Sequence, residues 1–61
     1  MTREQEIKVA VDFLKSKNLT KTQIKDYQYV ENLVFDFIIE TKIELTDPMI
    51  CDVIVEFQEQ N

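Results

Sequence analysis

The chain contains no glycine, no histidine and no tryptophan, with one proline and one cysteine among its 61 residues. Each absence removes a class of chemistry. Without glycine there is no loop that can press backbone amides against a phosphate, no dinucleotide-binding fingerprint, and no two-residue hairpin of the favoured glycine-containing types. Without histidine the usual general base, the commonest metal ligand and the common nucleophile triads are missing. Catalysis would have to rest on carboxylates, lysines, tyrosines and one thiol, in a chain too short to shape a deep pocket. The inventory therefore predicts a protein that is not an enzyme and carries no cofactor and no metal.

A lone cysteine cannot close an intrachain disulfide, which fits a reducing compartment, and Cys51 is expected as a small apolar residue of the core or of a helix face rather than as a reactive thiol. The chain opens with no basic-then-apolar signal, and no apolar run approaches the roughly 18 residues of a membrane span. A cytoplasmic location with no membrane partner is the expectation. A single domain is also expected across residues 1–61. A domain of this size buries only about 60% of the surface its unfolded chain exposes, so it gains from a partner or from self-association.

Charge is divided unevenly along the chain. Residues 1–26 hold six Lys and Arg against four Asp and Glu, a net +2, whereas residues 27–61 hold Lys42 against eight acids, a net −7. Together these give the overall −5. Such a dipolar molecule steers towards charged partners, without the pattern naming one.

Helix signals dominate what is present. Thr2 followed by Gln5 forms a capping box, after which Ile7, Ala10, Val11 and Leu14 fall at the spacing of one helix face. Thr20 and Gln23 form a second box, opening a segment that carries Ile24, Tyr27, Val30, Leu33, Val34, Phe37 and Ile38. That segment reads as one helix, or as a short and a longer one broken between Asp26 and Tyr29. Asp47 as N-cap with Pro48 at the first helical position predicts a last helix over 48–60, its inner face made of Ile50, Val53, Ile54 and Phe57. The fold expected is all-α, a small domain of three or four helices, open to homo-oligomerisation. Its rival is local β structure over 33–45 and over 51–57, where β-branched and aromatic residues are dense, although the specific cap before 48–60 favours helix in the second stretch.

At roughly 100° per residue, the middle helix is apolar around more than one face. Val30, Leu33, Val34, Phe37 and Ile38 form a broad inner surface, and Phe35 and Ile39 project almost opposite its centre. Val9 and Phe13 stand on the far side of the first helix in the same way. The surplus is explained either by a central helix packed from two sides or by an exposed patch that binds a partner or a second copy.

The carboxylates sort into two groups. Asp36 and Glu40 lie one helical turn apart beside Phe35 and Ile39, while Asp52, Glu56 and Glu59 form a stripe opposite Ile50 and Phe57. Di-metal sites in helical bundles pair such acids with histidine, which this chain lacks. The alternatives are a solvated acidic face or a surface for a basic groove, including a groove that normally holds nucleic acid.

These features predict a non-catalytic protein-binding module that occupies or blocks a partner surface. Its expected interface is Phe35, Asp36, Ile39 and Glu40, with Asp52, Glu56 and Glu59 as an electrostatic rim. The expected partner is a protein with a basic or apolar groove, with a homodimer as a further expectation; so short a Lys-, Ile- and Glu-rich chain suits a viral or mobile-element inhibitor. A second reading takes Lys15, Lys17, Lys21 and Lys25 as the rim of a helix-turn-helix unit in a homodimeric DNA-binding regulator. The turn lacks glycine, the helix after it lacks arginine, and the net charge opposes a polyanion, so nucleic acid is not the expected partner. A third is a structural subunit of a larger assembly.

Overall fold

Four local start signals produce four helices in the computed structural model, which describes residues 1–60. In α1 (Arg3–Lys15) the Thr2 hydroxyl accepts from the Gln5 amide at 3.2 Å, and the Thr2 amide donates to the Gln5 side chain at 2.9 Å. The same reciprocal pair recurs at Thr20 and Gln23, which open α2 (Lys21–Lys25). Each box satisfies two backbone donors that the first helical turn leaves free. Between these helices Asn18 takes φ 53°, the left-handed region that asparagine tolerates better than most residues, and so the chain turns without glycine.

Asp26 decides where α2 stops. At φ −84° and ψ 99° it leaves the helix, and its carboxylate accepts from the Tyr29 amide at 3.2 Å as the N-cap of α3 (Tyr27–Thr41). The break therefore falls inside the interval 26–29 that the sequence marks. Helix α3 ends at Lys42, which takes φ 59° while its amide donates to the Ile38 carbonyl at 2.8 Å. A bulky residue pays for that left-handed conformation with roughly 1 kcal/mol that glycine would not.

The β rival over 33–45 is not what forms. Residues through Thr41 stay helical because only helical phase buries Val30, Val34 and Phe37 together. The irregular strap that follows lays Ile43 and Leu45 partly against the core. The last helix, α4 (Asp47–Gln60), begins with a small correction to the expected cap. Thr46, not Asp47, is the capping residue: its hydroxyl accepts from the Met49 amide at 3.4 Å and its carbonyl from the Ile50 amide at 2.9 Å. Pro48 thus sits one position deeper, still within the first turn, where its missing N–H breaks no helical bond.

Helices α1, α3 and α4 enclose a single core, with α2 as a short brace between the ends of α3 and α4. Ala10 and Leu14 from α1, Val30 and Val34 from α3, and Val53 and Ile54 from α4 are fully buried, and Phe37 and Phe57 are at 1% exposure. Burying one such aromatic or branched side chain stabilises by about 1.5–3 kcal/mol. The Gln58 amide donates to the Ile24 carbonyl at 3.0 Å and ties α4 to α2.

Two sequence expectations change here. Phe13 is not surplus apolar surface: it is half-buried, meets Phe37 edge-on at 5.3 Å between ring centroids, and carries the Lys17 ammonium 4.6 Å above its ring. Cys51 is not a core residue but is exposed, because it lies one residue beyond Ile50 and off the stripe that α4 buries.

Candidate functional site

Phe35 and Phe37 are two residues apart on α3, and the helix turns one inward and the other outward. Phe37 is 1% exposed, Phe35 is 45% exposed, and Ile39, one turn further on, is 72% exposed. Their exposure leaves a complete core behind them, so Phe35 and Ile39 are surface residues of the isolated chain. Asp36 and Glu40 are exposed beside them.

The apolar ground extends further than the sequence reading placed it. Tyr27, Glu31, Phe35 and Ile39 recur every fourth residue and make one strip along α3, in which Tyr27 is 44% exposed. At its N-terminal end the strip reaches α4. A hydrogen bond with the Cys51 side chain raises the pKa of the Tyr27 phenol above its ordinary 10.0, helped by desolvation and by the charges of Cys51 and Glu31. One turn along α4 from Cys51 stands Val55, itself 43% exposed. Tyr27 and Val55 were not singled out from sequence as part of an outer face. The signal that finds them is helical spacing: Tyr27 lies eight residues, two four-residue steps, before Phe35, and Val55 lies four residues after Cys51.

The acids of α4 occupy a different edge. Asp52 accepts a 2.8 Å charge-assisted hydrogen bond from Arg3 of α1, and Glu56 shares a groove of about 510 Å³ with Glu4, Lys8, Asp12 and Lys15. Both partners of the Arg3–Asp52 pair are more than half exposed, so it contributes at most about 1 kcal/mol. All seven predicted interface residues are exposed, including Glu59. They do not share one edge: Phe35, Asp36, Ile39 and Glu40 stand on α3, whereas Asp52 and Glu56 lie on the side of α4 that faces α1. Asp36 and Glu40 are thus the carboxylates nearest in sequence to the anchors, and of the α4 stripe Asp52 and Glu56 border α1.

The lysine-lined turn forms, but in reduced size. Helix α2 has only five residues, and Lys17 lies over Phe13 rather than reaching outward. Lys21 and Lys25 border a shallow groove of about 390 Å³ with Ile24 and Gln58. Among the described residues no group of three His, Cys, Asp or Glu side chains is placed to hold a metal ion. No helix among them is long and apolar enough to cross a membrane. No protein-family model matches the chain, and no curated protein or solved structure matches it either.

Proposed function

We infer that this protein is a non-catalytic binding module that works by occupying the surface of a protein partner. One observation carries the reading: Phe35 and Ile39 stand 45% and 72% exposed on a helix whose opposite face already completes the core. Large apolar groups at the centre of a patch supply most of the energy of an interface, and charged neighbours set orientation and partner choice. Here the neighbours are Asp36 and Glu40, so the surface that fits is an apolar pocket edged by lysine or arginine. The second acidic edge, with Asp52, Glu56 and Glu59, widens the attraction to a basic partner. An exposed thiol at Cys51 suits a reducing, cytoplasmic setting.

A chain of 7.3 kDa acts most directly by covering something else. Inhibition of a host factor by a viral or mobile-element protein is the setting that this size and composition fit. The DNA-reading alternative gains no support from a five-residue α2.

Affinity capture from extract of the native cell at moderate salt, with nuclease treatment, tests the reading. The expected result is one nuclease-resistant protein at near-equal stoichiometry, whose purified form binds the wild type and loses binding to Ile39→Asp while the variant keeps its helical circular dichroism. Nucleic acid alone, released by nuclease, would overturn the reading in favour of the regulator.

A further inference from the structure

The strip on α3 has a charge order that matches itself. Beyond Tyr27 at its N-terminal end it runs Glu31, Phe35, Ile39 and then the cap Lys42, so that the two most outward apolar groups of α3 have an acid before them and a cation after them. Phe35 and Ile39 share a midpoint close to residue 37, and Glu31 and Lys42 share nearly the same one. A second copy laid antiparallel across this point sets Phe35 against the partner copy's Ile39 and Glu31 against its Lys42, each contact occurring twice. That is the self-complementary geometry a two-fold interface requires. Lys42 is the sole cation in residues 27–61, so this match depends on where that one lysine stands.

Resting on the reading of this face as a docking surface, we propose that in the free protein its occupant is a second copy of the chain, and that the basic partner displaces it. The same two-fold arrangement explains why the dimer yields. Rotation about the axis returns each flank of α3 to the same side, so Asp36 and Glu40 of the two copies converge along one rim with no cation between them. Like charges brought together weaken the dimer, and a partner that brings lysine or arginine to that rim relieves the repulsion. The long face of the molecule measures 30 × 20 Å, which places a dimer built on it in the small, reversible class of interfaces. Self-association then keeps Phe35 and Ile39 from water until the partner arrives.

Sedimentation equilibrium from micromolar to millimolar protein, on the wild type, Glu31→Lys, Lys42→Glu and the double exchange, tests the pairing. The wild type is expected to approach twice 7.3 kDa. Each single reversal should weaken the dimer roughly tenfold, because it breaks two pairs and creates repulsion, and the double exchange should restore most of the loss. Circular dichroism on the same samples separates a lost interface from a lost fold. A wild type that stays monomeric throughout overturns the proposal, as does a dimer indifferent to both single reversals. Neither result touches the docking reading, because Lys42→Glu keeps Phe35, Ile39, Asp36 and Glu40. That variant should still bind a basic partner, and its failure to do so would count against the docking face itself.

Discussion

The inner and outer faces of α3 are built from the same residue types, and they differ in what lies across from them. Val30, Val34 and Phe37 meet α1 and α4 and are closed to water; Phe35 and Ile39 stay open, and Tyr27, which touches α4 through Cys51, is open as well. Residue type therefore does not distinguish a core position from a docking position in this molecule. Helical phase does, once the neighbours are known, and the described residues form no fourth long helix to cover the second face.

The largest effect should come from breaking the inner face. Phe37→Ala removes a ring buried against Phe13, at a cost of about 3–5 kcal/mol. A domain of this length has a total stability of about 3–9 kcal/mol, so the variant should be largely unfolded by circular dichroism at room temperature or melt far below the wild type. A mild effect would mean that the inner face is looser than its closure implies.

A smaller loss should follow from loosening the residue that sets the phase of both faces. Asp26→Ala deletes the N-cap bond to Tyr29 and should cost about 1 kcal/mol in urea unfolding, leaving the helical content of the folded state close to wild type.

The smallest effect sharpens where the outer face ends. In a Tyr29→Phe background the Tyr27 phenol is the only one left, and its absorbance should titrate with a midpoint above 10.0; Cys51→Ala should bring that midpoint down. The sign follows from which form the fold prefers. Because the folded state raises this pKa, the associated stability is complete below the unfolded value and is lost as pH rises through the folded one, which confines the effect to alkaline solution. A midpoint indifferent to Cys51 would show that the strip does not continue onto α4.

Much of this architecture was legible from short-range signals. The two Thr–Gln boxes fix the starts of α1 and α2, and the choice between one middle helix and two is settled by Asp26, a residue able to cap α3 with its side chain while its amide donates to the Gln23 carbonyl. The start of α4 was misplaced by one residue because Thr46 and Asp47 are both competent caps, and only the hydroxyl of Thr46 reaches the Met49 amide. What the periodicity could not show is which neighbour a face would find. Phe13 looked as free as Phe35 until α3 placed Phe37 against it, and Cys51 looked like core until α4 turned it towards Tyr27. The split of the carboxylates was hidden for the same reason, since Asp52 is directed by Arg3 from 49 positions away.

The central claim is that Phe35 and Ile39 serve the surface and not the fold. Urea unfolding of the Phe35→Ser, Ile39→Asp double variant at low micromolar concentration, where self-association adds little, tests it most directly. A cooperative transition within about 1 kcal/mol of the wild type is the predicted result. A loss as large as that of Phe37→Ala would contradict it, and would return both residues to the core.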